Sequence, residues 1–311
     1  MRTLFNDLKK INGLVVSRDV FLADKTTFRI GGVASILVQP RTISALEKTL
    51  EYFANNHVRF DILGNGSNLL VDDSGVGVVL SLALLSSISM ENGRLCAGAG
   101  CRLMSLAAWS MRCGIGGFEE FSGIPASLGG AARMNAGTPV VSFADTVRSV
   151  RISGPGGSFY AGMDELQTGY RSCCIPSGSA VSEIVFNEIG AAGNSKRRYR
   201  LMRTERKDIV RRTRSVLAKR HLKQPIGTPN AGCVFKNPPG KAAGFLIEQC
   251  GFKGKRVGDA RVSDIHANFI VNLGNATFDH VIALMELVRA GVMEQTGICL
   301  EPEVRIWRKR V

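Results

Sequence analysis

Up to about residue 190, short apolar runs alternate with glycine-rich turns, which predicts strands at Ser35–Gln39, Arg59–Leu63, Val76–Leu80, Val147–Ile152 and Val181–Ile189. Two segments switch to helical spacing. Ile43, Leu46, Leu50 and Phe53 predict a helix from Thr42 to Asn56. Its cap is either Thr42 or Ser44, the latter spaced from Glu47 as in a capping box. A second helix is expected from Arg102 to Cys113, stopped by Gly114. The small-residue stretch Gly190-Ala-Ala-Gly-Asn-Ser195 reads as a linker and marks a domain boundary.

Beyond it the pattern predicts a basic helix within 196–220, with Leu201, Ile209, Val216 and Leu217 on its apolar face. A helix at Ala242–Cys250, a strand at Asn268–Asn272, an amphipathic helix at Thr277–Gln295 and a strand at Glu303–Trp307 follow. Asp279 is favourably placed near the positive end of the long helix. The irregular order of strands and helices argues for an α+β fold, not repeated βαβ units. The expected division is 1–193, built of two α+β subdomains of about 1–80 and 81–193, and 194–311.

A chain of 311 residues is long enough to bury a core without disulfide or metal staples. With 45% hydrophobic and 21% charged residues it is not disordered. The longest apolar stretch is far shorter than the ~20 residues needed to cross a bilayer. Asp7, Lys9 and Lys10 interrupt the N-terminus where a signal peptide would be apolar, so a cytoplasmic location without membrane contact is expected. The eight cysteines form no CxxC pair, which argues against a zinc or iron–sulfur site and leaves no metal expected. Seven read as buried free thiols, with Cys233 set apart.

The charge balance, 40 basic against 26 acidic residues and a net of +14, suits an anionic partner. The basic helix reads mainly as a solvated face, and the scarcity of aromatics around it weakens a nucleic-acid reading.

Two loops carry the chemistry. Gly64-Asn-Gly-Ser-Asn68 follows a predicted strand and has the glycines and donors to cradle a phosphate in a concavity of N–H groups. It lacks the third glycine and the helix of a dinucleotide fingerprint, and a plain hairpin turn is an equal alternative. The second loop, Gly123 to Gly137, is dense in glycine and alanine, suited to a flat ligand or to a tight packing seam.

Six segments occur in order: Thr27-Phe-Arg-Ile-Gly-Gly32, Gly64-Asn-Gly-Ser-Asn-Leu-Leu-Val71, Gly123–Gly137, Gly169-Tyr-Arg-Ser172, Asn230-Ala-Gly-Cys-Val-Phe-Lys-Asn-Pro238 and Leu300-Glu-Pro-Glu-Val-Arg305. Together they resemble the UDP-N-acetylenolpyruvoylglucosamine reductases, the flavoenzymes that form UDP-N-acetylmuramate for peptidoglycan, over nearly the whole chain. The short run after Gly169 is similar to family members without the substrate-covering insertion. The resemblance implies an FAD region of the vanillyl-alcohol-oxidase type and a C-terminal substrate domain. It also implies non-covalent FAD, NADPH as hydride donor, a nucleotide-sugar substrate and a monomer without a nucleic-acid partner.

Carried over by position, the resemblance puts the FAD pyrophosphate on Gly64, Asn65, Gly66, Ser67 and Asn68. The flavin would lie beside Gly123, Ile124, Pro125, Ser127, Gly129 and Gly130, with Arg171 touching it. Arg171, Cys233 and Glu303 would be catalytic, and Tyr170, Lys223 and Asn237 would hold substrate. The chemistry fits these types. Hydride addition to an enol ether bearing a carboxylate builds negative charge that a fork-shaped, permanent cation can stabilise. Glu303 would share a proton with the same carboxylate, and Cys233 would protonate the inner carbon. Standing alone, Arg171 would read as a surface arginine and Glu303 as a partner of Arg305.

Two positions depart from the family pattern. Cys233 stands where a serine is usual, and a thiol of pKa about 8.5 keeps the proton-donor role while adding sensitivity to oxidation. Thr138-Pro-Val-Val-Ser142 replaces the Ala-Tyr-Gly continuation and puts the local loop geometry in question. A flavin oxidase on the same fold and a basic nucleic-acid-binding protein are the competing readings. The NAGCVFKNP and LEPEVR segments speak against the first.

Overall fold

The computed structural model describes residues 1–190 and 201–309. The chain forms two compact units that are not sequential. The first comprises Met1–Arg18, Ile36–Asn65 and Val78–Ala218; the second comprises Asp19–Ser35, Gly66–Gly77 and Lys219–Val311. This differs from a division at 193, because two early segments group with the C-terminal residues. Most of the expected linker, together with the start of the expected basic region, lies outside the described residues.

The first unit is built on a five-stranded antiparallel sheet, ordered Gly157–Gly162, Val147–Gly154, Ala180–Phe186, Arg94–Gly98, Ile88–Glu91. Alternation places Val150 and Ile152 in the core, where Phe186 meets Phe118 edge-on at 5.2 Å. Phe143 packs against both Phe186 and Phe121 at 6.0 Å. These rings anchor the turn Glu119–Phe121, and with it the start of the Gly123 loop.

The expected helix appears as Ile43–Asn55, and Thr42 is its cap, accepting from the Ala45 N–H at 3.1 Å. Glu47 plays no capping part. It is bonded across to Ser158 and to Arg151 on the sheet. Strand Phe60–Leu63 pairs in parallel with Val78–Ser81. The basic helix runs Arg206–Lys223, so Leu201 precedes it and is buried elsewhere, while Ile209 is its one fully buried residue. Arg212 reaches the buried Glu119 carboxylate at 3.8 Å.

In the second unit an antiparallel sheet runs Asn230–Cys233, Phe269–Asn272, Ala260–Val262, Arg256–Val257. A parallel pair joins Leu69–Val71 to Arg305–Trp307. Helix Phe278–Thr296 buries Val281, Leu284, Met285, Val288 and Val292. Its start is held by Thr277, which accepts from the His280 N–H, and by the Asp73 carboxylate, which accepts from the Phe278 N–H at 2.7 Å. The core also takes in Phe28, Ile30 and Leu70 from the two early segments.

Cys96, Cys101 and Cys173 are buried, and burial pushes each of these thiols up. Cys113, Cys174 and Cys299 are exposed and Cys250 is half-buried, against the expectation of mostly buried thiols. No helix among the described residues is long and apolar enough to cross a membrane.

Candidate active site

The Gly64–Asn68 loop is not a hairpin turn. The strand before it pairs with Val78–Ser81 and the strand after it with Arg305–Trp307, so the two flanking strands do not pair with each other. None of the backbone N–H groups from Gly64 to Asn68 donates to an acceptor among the described residues. Consecutive N–H groups left over from the fold suit a phosphate, and this is the observation by which the residues fit the pyrophosphate of FAD.

Within the first unit, Gly64 and Asn65 meet the second glycine-rich loop. The Asn65 side-chain amide donates to the Pro125 carbonyl at 2.6 Å. A Cβ on Gly64 would come within 2.6 Å of the Ser127 hydroxyl. Ser127 accepts from the Gly130 N–H, while Leu128 and Gly129 donate to Cys101 and Ala99 at 2.8 Å, which pins the loop to the strand end at Gly98. A Cβ on Gly130 would meet only the Ser127 hydroxyl, at 3.2 Å. The loop is a fixed backbone surface with small side chains, open enough for a flat ring.

The same loop reaches the arginine turn. Asn135 donates to the Gly169 carbonyl at 3.0 Å and accepts from the Ala144 N–H at 3.0 Å, and Arg133 donates to the Cys173 carbonyl at 2.6 Å. Gly169 and Ser172 exchange backbone hydrogen bonds, forcing Arg171 to φ +55°. A non-glycine residue in the left-handed region costs on the order of 1 kcal/mol and is held there by its surroundings. The Arg171 guanidinium lies over the exposed Tyr170 ring, 5.3 Å from its centre. The Thr138 departure closes as a compact turn, its hydroxyl accepting from Val140 and Val141.

Within the second unit, hydrogen bonds to the backbone gather four remote segments. Thr27 donates its hydroxyl to the Asn230 carbonyl at 2.7 Å, and its N–H to the Gly66 carbonyl at 3.1 Å. The Asn68 side chain donates to the Glu303 carbonyl at 3.2 Å, while Arg305 donates to the Asn68 carbonyl at 3.0 Å. Glu303 in turn donates to the carbonyl of Val234, next to Cys233, at 2.7 Å. Cys233 and Glu303 are both half-buried, and Gly232 faces the Ser67 carbonyl.

Gly66 needs its glycine for the fold. At φ +64° a Cβ there would overlap the Lys25 carbonyl, so packing alone explains the residue. Asn237 caps the helix Ala243–Gln249, accepting from the Ala243 N–H at 2.9 Å, and Lys223 is the exposed last residue of the basic helix. Arg171 belongs to the first unit and Cys233 and Glu303 to the second. Sequence reading missed Asn268, a buried residue whose side chain bonds Phe235, because nothing in an apolar run marks one asparagine as a clamp.

Known proteins account for both units. The profile of the UDP-N-acetylenolpyruvoylglucosamine reductase C-terminal domain matches residues 224–307. That of an FAD binding domain matches residues 34–161. A UDP-N-acetylenolpyruvoylglucosamine reductase of Anaeromyxobacter sp. (strain Fw109-5) is 39% identical over 300 residues, covering 96% of this chain and 90% of the relative. One from Alkaliphilus oremlandii is 37% identical, covering 94% of this chain and 95% of the relative. The crystal structure of UDP-N-acetylenolpyruvylglucosamine reductase from Thermus caldophilus superimposes with a TM-score of 0.78 at 36% identity, covering 94% of this chain and 99% of that one. With relatives 37–39% identical over nearly the whole of both chains and the C-terminal profile matched, the chain belongs to the UDP-N-acetylenolpyruvoylglucosamine reductase family.

Proposed function

We propose that this chain reduces the enolpyruvyl ether of UDP-N-acetylglucosamine enolpyruvate to the lactyl ether of UDP-N-acetylmuramate, in peptidoglycan synthesis, using FAD held non-covalently and NADPH as hydride donor. The observation that carries the reading is the hydrogen-bonded cluster of Asn68, Glu303 and the Cys233 strand, in a chain of this family. FAD, when bound, supplies two-electron transfer between NADPH and the substrate.

Gly64 to Asn68 would hold its pyrophosphate through their N–H groups, and the loop Gly123, Ile124, Pro125, Ser127, Gly129 and Gly130 its ring system. Arg171 neutralises the charge that grows on the substrate carboxylate as the double bond is lost. Its strained turn fixes the direction in which the guanidinium leaves the backbone. Glu303 hydrogen-bonds the same carboxylate. Cys233 gives its thiol proton to the carbon next to the carboxylate. A thiol of ordinary pKa about 8.5 is protonated at neutral pH and a far stronger acid than a hydroxyl, so it can replace serine there. Tyr170, Lys223 and Asn237 bind the nucleotide-sugar, and the cationic excess favours its diphosphate.

The test is anaerobic absorbance on the purified full chain. It should be yellow, release its colour on denaturation, bleach with NADPH, and regain colour only when UDP-N-acetylglucosamine enolpyruvate is added. A protein that stays colourless after reconstitution with FAD, or whose colour returns equally with unrelated alcohols or acids, would overturn the reading.

A further inference from the structure

We infer that Asn268 is a positioning residue: its buried carboxamide locks the strand segment that carries Cys233 and receives Glu303. The inference rests on the roles proposed above for those two residues. Cys233 sits opposite Phe269 in the antiparallel ladder, so Val234 comes next to Asn268 and donates its N–H to the Asn268 carbonyl at 2.8 Å. There the regular ladder ends.

Phe235 is 2% exposed, and its backbone groups would be buried without a strand partner. The Asn268 side chain takes the place of one. Its Oδ1 accepts from the Phe235 N–H at 2.9 Å, and its Nδ2 donates to the Phe235 carbonyl at 2.7 Å. On the other edge of the same segment the Val234 carbonyl accepts from Glu303 at 2.7 Å and Val304 at 3.3 Å. Lys236 donates to Glu301 at 2.8 Å.

One side chain, 3% exposed itself, therefore sets the depth and twist of the segment on which both reacting groups depend. A primary amide of this length offers a donor and an acceptor to one residue's backbone at any pH. Leucine offers neither, and an ionised aspartate would set its charge against the Phe235 carbonyl.

That chemistry supplies the test, since a protonated aspartic acid has the shape of asparagine with both a donor and an acceptor. Asn268→Asp should bleach with NADPH like the parent at every pH. At about pH 8 its substrate-dependent colour recovery should be slowed about 10²-fold, the loss expected for a displaced reacting group. Burial of this site raises the introduced carboxyl above its ordinary range, so acidification to about pH 5.5 moves it towards the carboxylic acid form and should recover rate. His266, whose Nδ1 accepts from the Asn268 N–H, lies beside the substituted group, so the variant-to-parent ratio is read at each pH.

Asn268→Gln, which keeps both groups but displaces them, should lose the same step without recovering on acidification. A second readout needs no turnover: the alkylation rate of Cys233, followed on its own peptide, should change in both variants and return in acid only for Asn268→Asp. Equal loss of both half-reactions, no recovery in acid, parent-like rates in a flavin-loaded variant, or failure of both variants to fold would each reduce Asn268 to a packing residue. If the parent itself is not reoxidised by substrate, the proposed reaction is at fault, and the Cys233 alkylation ratio still decides the positioning claim.

Discussion

The two units hold their functional segments by different means. In the first, each loop is closed by local bonds, and side chains tie one loop to the next: Asn65 to Pro125, Asn135 to Gly169 and Arg133 to Cys173. In the second, backbone bonds between strands carry most of the load, joining Thr27 to Gly66 and Asn230, Asn68 to Arg305 and Val234 to Glu303, with the Asn68 and Asn268 side chains filling in where the ladder stops. A loop held by side chains can change one residue and keep its path. A ladder passes a local error along the strand to every residue paired with it. The Thr138 stretch of the first unit is an instance of such a loop, closing as a compact turn on its own hydroxyl.

The largest effect expected is at Cys233. Cys233→Ala should leave bleaching by NADPH intact and slow colour recovery with substrate by about 10²–10⁴-fold, the range of general acid catalysis, while Cys233→Ser keeps substantial activity. Stopped-flow absorbance on each half-reaction decides, and a rate equal to the parent's would make Cys233 a packed thiol.

Two glycines sharpen the contrast further. Gly66→Val meets both the left-handed backbone and the Lys25 carbonyl, so it should cost on the order of 3 kcal/mol or more and lower the melting temperature together with flavin content. Gly130→Ala has only the Ser127 hydroxyl to displace and gains helix propensity of about 0.5–1 kcal/mol. It should melt near the parent while retaining less flavin. If both variants lose stability and flavin in parallel, the loops are not held differently.

The smallest effect concerns acid. Burial lowers the pKa of His266 in the second unit, so the unfolded chain takes up a proton that the folded one resists. Stability contributed by the neutral ring is present above the ordinary value of about 6.5 and is lost as pH falls below it. In the first unit the shifted carboxylates Asp7 and Glu188 are held low by Lys10 and Arg94, and their contribution fades only in stronger acid. Urea titrations across pH should show a mild loss beginning near pH 6.5 that His266→Gln removes. A slope unchanged in that variant would place the titration elsewhere.

Much was legible along the chain because it is local. Ile43, Leu46, Leu50 and Phe53 mark their helix by spacing alone, Thr42 and Gly114 bound helices by their own backbone preferences, and the six ordered segments point to the family and its cofactor. Chemical type is also written in the residue: Arg171 is a permanent cation and Cys233 an acid wherever the fold puts them. What could not be read there depends on partners far away in sequence. Gly66 looks like a phosphate glycine until Lys25 is seen beneath it, and Glu47 looks like a cap until it is found on Ser158. Asn268 has no signature at all, since its importance comes from Phe235 arriving with two unpaired backbone groups. Residues 19–35 and 66–77 join a unit made otherwise of the last third of the chain because Phe28, Ile30 and Leu70 are buried in its core. Burial and backbone hydrogen bonds reward proximity in space, and spacing along the chain records only the part of that proximity that lies within a few residues.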